Sequence, residues 1–484
     1  MEFTVLIEKI DGWVWGYFLM FILVGTGIFL TLRLRFVQFR HFRHGWSLVS
    51  GKWDDKSDTG EITHIQALST ALSATIGTGN IAGVATAIAS GGPGAVFWMW
   101  VTAVVGMCTK FTCCLLAQHY REIDRHGDVS GGPMYYLSNG LKLPRLGWLF
   151  ALFAAVASFG TGNMVQANSV ANPLHDYLGW PKEIIGIVLA VLVALVIIGG
   201  IRRIAHLAEH VVPFMAVVYV IGAVIILIMQ INQVPAAFGA IFRGAFGAQS
   251  VAGGVVGYTV AQAMRFGIAR GLFSNESGLG SAAIAHAPAR TKEPVREGFV
   301  AMLGPFIDTI VICTLTALVI IVSGIYQEGE LTGATLSSAA FDRSLPGVGR
   351  HIVSFGLVFF AFTTMVGWSY YGDRSVKFLF RCHGMKAVHV YRWIYVILIP
   401  VGATASLPLV WNLSDIANGL MAFPNLIALI GLSGTALKLL RDYEKRLPGM
   451  RPVGPARFWL WEWGSRDLGD LELPDEENRD NNDR

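Results

Sequence analysis

Residues 73–83 read SATIGTGNIAG, a run of glycines and small polar residues at the centre of an apolar segment extending from His64 to Ala89. The segment is long enough to cross a bilayer, which takes ~20 residues of helix. Its middle is poor helix material, because Gly, Thr and Asn rank well below Ala and Leu in helix interiors. The span therefore reads as broken. Hydrocarbon tolerates backbone outside a helix only where protein buries it or it lines a polar cavity. The break is thus expected to be a binding site at which N–H and C=O groups meet a ligand.

Composition sets the environment. The 484-residue chain is 53% hydrophobic and 14% charged, with mean hydropathy +0.52. A soluble globule ordinarily carries roughly 25% charged residues, so this is a polytopic membrane protein of all-α class. The net charge of +4 gives no support to nucleic-acid binding. Cys108, Cys113, Cys114, Cys313 and Cys382 lie in or beside apolar runs without CxxC or Cys/His metal spacing, and read as small buried apolar residues. The first residues, with Glu2, Glu8 and Asp11 against Lys9, have the wrong charge for a cleavable signal.

Apolar runs follow at Trp13–Leu32, His64–Ala89, Ala95–His119, Gly147–Pro173, Glu183–Gly200, His210–Gln230, Gly257–His286, Gly298–Ile325, Ile352–Tyr371, Val390–Val410 and Ile416–Leu440. They predict about eleven transmembrane helices. One set of alternate loops holds 25 Lys and Arg and the other five. The positive-inside rule then places the N-terminus outside and the C-terminus in the cytoplasm, and the expected location is the cell's inner or plasma membrane. Residues 1–62 are expected to form an extra N-terminal helix and a basic loop, 63–440 the membrane core, and 441–484 a tail. Phe458–Trp463 suits either the membrane interface or a packed tail helix, and the acidic stretch from Asp467 to Arg484 is expected to be disordered.

A second break organises the core. Gly257–His286 carries GLFSNESGLG over Gly271–Gly280, the same composition at the same depth, five spans after the first. With the first helix set aside, ten spans divide into a 5+5 inverted repeat, about 63–231 and 255–440, each half opening on a discontinuous helix. Paired broken helices in inverted halves mark the midplane site of a secondary transporter. Half-helix N-termini suit a carboxylate, and freed carbonyls suit a hard cation. A zwitterionic solute carried with a cation satisfies both.

Other polar groups fall near these breaks. Asn163, Gln166 and Asn168 lie on the third span of the first half, suited equally to substrate contact or to bonding between helices. Thr363, Thr364 and Trp368 lie on the third span of the second half. The threonine hydroxyls suit either a cation's shell or their own helix carbonyls. Lys110, Arg265, Arg270, Glu276 and Asp308 are charges within spans. Glu276, inside the second break, is a candidate for gating or coupling, or for an ion pair with Arg265, Arg270 or Lys110. Enzyme motifs are lacking: the serine of GLFSNESG is misplaced for a nucleophile elbow, and no filter-like loop speaks for a cation channel.

ATIGTGNIAGVATAIASGGPGAVFWMW (Ala74–Trp100), SGGPMYYL (Ser130–Leu137) and GLFSNESGLGSAAIAHA (Gly271–Ala287) resemble the alanine or glycine:cation symporter family, also called sodium/alanine symporters. The likeness runs from about Thr63 to Leu440. It implies the inverted-repeat fold of the bacterial leucine transporter and uptake of alanine or glycine driven by Na⁺ or, in some members, H⁺, with no organic cofactor. By position, Gly77–Asn80 matches that fold's first interrupted helix. The resemblance then implies a substrate carboxylate on the N–H groups of Thr78 and Gly79, with Phe273, Ser274 and Asn275 lining the pocket and Trp368 limiting side-chain size. It implies one Na⁺ held by the carbonyls of Ser73 and Ile76 with the hydroxyls of Thr363 and Thr364. A second ion would use Thr75, Asn80 and Ser274. The tyrosine that helps hold the carboxylate in the leucine transporter has no counterpart near Asn163. The sequence leaves the oligomeric state open.

Overall fold

The computed structural model describes residues 17–450 except 56, 125–126, 248–258, 330, 382–383 and 406, together with a few residues before Tyr17. Cys382, the Phe458–Trp463 stretch, the acidic end and the opening residues Gly257 and Tyr258 of the second broken span lie outside the described residues. The chain is an all-α membrane protein. Among the described residues, Gly94–His119, Pro144–His175, Gly200–Met229, Pro294–Ser323, Gly349–Leu379 and Gly384–Thr404 are each long and apolar enough to cross a bilayer. Helices at Tyr17–Arg33, Lys182–Ile197, Val260–Asn275 and Leu407–Gly431, with the bent pair His64–Thr75 and Gly79–Gly91, complete the order of apolar runs.

Both interrupted spans are as the sequence foretold, and both begin with the same device. Thr63 Oγ1 accepts from the Gln66 N–H at 3.3 Å, while Gln66 Oε1 accepts from the Thr63 N–H at 3.0 Å. Thr259 and Gln262 repeat this at 3.1 and 2.9 Å. Two T-x-x-Q capping boxes thus satisfy the orphan donors where each broken span starts. The first helix, His64–Thr75, stops at Ile76, whose backbone is extended, and resumes as a π-helical turn at Gly79–Gly83. The axis bends by 54° there. Asn80 holds the break, its Oδ1 accepting the Gly77 N–H at 2.9 Å. Val260–Asn275 ends with Glu276 in the left-handed region (φ 53°), and helix resumes only at Ala282–His286. Holding a non-glycine residue in that conformation costs about 1–3 kcal/mol.

The final run differs from the straight span expected over Ile416–Leu440. Helix stops at Gly431, the axis turns by 56°, and a second helix, Ser433–Arg446, continues. From Lys438 this piece carries Arg441, Asp442, Glu444, Lys445 and Arg446, charges that hydrocarbon does not accept, so it turns out of the membrane. It docks on the basic loop through His44 Nε2 and Tyr443 Oη at 2.8 Å, and through Glu444, which meets Arg40 at 2.7 Å.

Side-chain distribution follows from a lipid exterior. Ile187, Val191 and Leu195 on one helix, Phe214 and Ile221 on the next, and Trp393 and Ile397 on a third all point outward. Facing inward are Ser73, Thr78, Asn80, Asn163, Gln166, Ser274, Asp308 and Thr364, each at most 2% exposed. An apolar outside around a polar centre inverts the arrangement of a water-soluble protein and places the unusual chemistry at bilayer depth.

Candidate functional site

The two breaks touch. A Cβ placed on Gly79 would stand 3.2 Å from Ser274 Cα, so the small residue is what lets the backbones meet. One on Gly77 would stand 2.6 Å from Thr364 Oγ1, and one on Gly162 only 2.1 Å from Trp368 Cβ. Both breaks and the third span of each half therefore pack around one point.

At that point sits a carboxylate. Asp308 lies on a π-helical stretch, Phe306–Cys313, and is 0% exposed. Asn80 Nδ2, from the first break, donates to Asp308 Oδ1 at 2.7 Å. Ser274 Oγ, from the second break, donates to Oδ2 at 2.9 Å, and Thr309 Oγ1 donates to the same oxygen at 2.7 Å. Sequence reasoning marked Asp308 as an in-span charge but placed it in no site. Its signal was the rule that a carboxylate at midspan has a purpose. Wide π turns, which re-aim side chains, often accompany functional positions in helices.

The residues expected to hold the first cation separate into two groups. Thr364 Oγ1 lies 3.0 Å from the Ser73 carbonyl oxygen and 3.4 Å from that of Ile76, so three oxygens converge. Thr363 is not among them. Its hydroxyl donates to Phe359 O and Phe360 O of its own helix at 3.0 and 3.1 Å. Of the second expected set, Asn80 and Ser274 meet at Asp308, whereas the Thr75 hydroxyl donates to Ala71 O at 3.2 Å within its helix.

Around the expected carboxylate position, Gln166 Oε1 accepts from the Thr78 N–H at 3.4 Å, a long bond, and Thr78 Oγ1 is buried without a partner. Phe273 stacks on Trp411 with centroids 5.2 Å apart. Asn275 is occupied, donating to Thr309 Oγ1 at 3.2 Å and accepting from the Ser277 N–H at 3.0 Å. Asn163 and Asn168 act between helices: Asn163 Nδ2 donates to Tyr395 O at 2.6 Å, and Asn168 Nδ2 to Gly402 O at 3.1 Å.

Glu276 takes neither arginine as its partner. Arg270 pairs with Asp415 at 3.5 Å and lies over the Trp411 ring, and Arg265 lies over Phe266. The Glu276 carboxylate accepts from Ser281 Oγ at 2.6 Å and stands beside the Trp368 indole, whose N–H makes no bond of normal geometry. Lys110, buried on Gly94–His119, acts electrostatically on both Glu276 and Asp308.

The chain matches the family described as the sodium:alanine symporter family over residues 1–452. The chain belongs to the sodium:alanine symporter family. Sodium/alanine symporter AgcS of Methanococcus maripaludis is 48% identical to it, with 92% of this chain and 98% of the relative covered. A transporter of Haemophilus influenzae is 47% identical over 92% and 97%. The probable sodium/glutamine symporter GlnT of Bacillus subtilis is 36% identical over 91% and 90%. This sodium:alanine symporter family member is accordingly a multi-pass membrane transporter and not an enzyme.

Proposed function

We propose that the protein is a Na⁺-coupled symporter of small neutral amino acids, alanine or glycine, working by alternating access with its N-terminus outside and its C-terminus in the cytoplasm. The observation that carries this reading is the convergence of Asn80 and Ser274, one from each break, on Asp308. A carboxylate at bilayer depth is expensive to ionise unless a cation accompanies it. Among the described residues no ion pair within 4.0 Å involves Asp308. Asp308 and the Ser274 hydroxyl would hold one Na⁺, with Asn80 orienting the carboxylate through its Nδ2. Ser73, Ile76 and Thr364 would hold another.

The substrate carboxylate would lie on the N–H groups of Thr78 and Gly79, replacing the Gln166 amide oxygen at its long contact with Thr78. Phe273, Ser274, Asn275 and Trp368 would bound the side chain. The closeness of Gly79 to Ser274 holds the two breaks together on one side of this position. Na⁺ moving inward supplies ~2.3 kcal/mol per charge per 100 mV, before any concentration gradient.

Radiolabelled alanine uptake into proteoliposomes tests the reading. Replacing Na⁺ by choline is expected to abolish accumulation, and excess glycine to compete far better than excess glutamine. Accumulation that persists in choline and follows an imposed pH gradient would assign the coupling to H⁺ instead.

A further inference from the structure

Away from this centre, the face that carries the basic loops bears a second constellation. In Gly200–Met229, His206, Glu209 and His210 fall at positions i, i+3 and i+4, which share one side of a helix. One ligand atom from each lies within 4.8 Å of the other two. The imidazole centroids are 4.7 Å apart. Both histidines are exposed and Glu209 is half-buried, in the first three turns of the helix beside Arg202 and Arg203, a charged end suited to water and open to a dissolved ion.

The hydrogen bonds prepare these groups for a metal. His210 Nδ1 lies 2.8 Å from the His206 carbonyl oxygen. A carbonyl only accepts, so Nδ1 carries the proton and Nε2 keeps its lone pair. This is the arrangement by which a metal-binding imidazole is oriented through its other nitrogen. Glu209 is also fixed from behind: its Oε2 accepts from Gln66 Nε2 at 3.0 Å. Bonds of ~2.1 Å to a tetrahedral ion need the three ligand atoms somewhat closer together, a movement within the rotamer freedom of exposed side chains.

We propose that His206, Glu209 and His210 bind a divalent transition-metal ion, with Zn²⁺ suited to the two-nitrogen, one-oxygen set and water completing its shell. The consequence follows from Glu209. Its partner Gln66 is the residue whose Oε1 caps the Thr63 N–H, where the first broken span begins. A metal that fixes the Glu209 carboxylate therefore fixes that start against Gly200–Met229. Occupancy restrains the half of the broken span that alternating access requires to move on this face.

Zn²⁺ titrated calorimetrically into the full-length, tag-free protein in detergent is expected to bind at one ion per chain in this site. The double substitution His206→Ala, His210→Ala should weaken that binding at least tenfold. Both positions are exposed, so folding is retained, and an unchanged elution profile checks this. Hydrogen exchange reads the second half: Zn²⁺ should slow exchange of amides 64–72 several-fold in the wild type and not in the double variant. Zn²⁺ affinity equal in both proteins would overturn the site. Exchange at 64–72 unaltered by bound Zn²⁺ would overturn its link to the broken span.

Discussion

Thr363 and Thr364 show what a single residue can and cannot announce. Neighbouring positions on a helix point about 100° apart, so of two adjacent threonines only one can face a given partner. Sequence offers both, and packing chooses Thr364 for Ser73 and Ile76 while Thr363 returns to its own carbonyls. Thr364→Val keeps the shape and removes the hydroxyl. It should raise the Na⁺ concentration for half-maximal uptake about tenfold, equivalent to about 1.4 kcal/mol, whereas Thr363→Val should leave it within about twofold. Na⁺-dependent uptake by the two variants, compared at equal protein, checks this. Asp308 was legible as a charge out of place, but no periodicity reveals that the donors reaching it come from residues 80 and 274. The oxygen atoms contributed by carbonyls are still less visible, since every residue has one.

At the scale of elements, the apolar runs and the two glycine-rich interruptions were readable because hydrophobic length and helix-breaking composition are local properties. The bend at Leu432 was not, because Ile416–Leu440 is apolar enough on average to hide where its charges begin. The touching breaks make a sharp prediction. Gly79→Ala places a methyl 3.2 Å from Ser274 Cα, whereas a Cβ on Gly83 meets nothing within 4 Å. Overpacking of this kind costs about 1–3 kcal/mol. Gly79→Ala should lower uptake at least tenfold in protein that still elutes as a single species, and Gly83→Ala should retain uptake.

The basic-loop helix Phe42–Val49 offers a separate test. Burial, with help from the charges of His41 and Arg296, pushes His44 down from its ordinary 6.5 to about 4. Below pH 6.5 the unfolded chain takes up a proton that the folded one refuses. This contribution to stability is therefore complete above pH 6.5 and is lost as pH falls towards 4. The drop in melting temperature between pH 7.5 and 5 should be smaller in His44→Gln than in the wild type.

For the molecule as a whole, two halves that begin on matching capping boxes and matching breaks meet at one buried, polar centre inside an apolar shell. Inverted order and loop charge were both open to the sequence, since each depends on counting spans and basic residues. What the count lacked was the meeting itself, which arises from long-range packing through Gly77, Gly79 and Gly162. If that centre holds substrate and cation together, each must strengthen the other's binding by the same factor. The direct measurement is calorimetric titration of alanine into purified protein at rising Na⁺ concentrations, for the wild type and Asp308→Asn. The account predicts an alanine affinity that climbs at least tenfold with Na⁺ in the wild type and loses most of that dependence in Asp308→Asn. An alanine affinity independent of Na⁺ in the wild type, or a dependence left intact in Asp308→Asn, would contradict it.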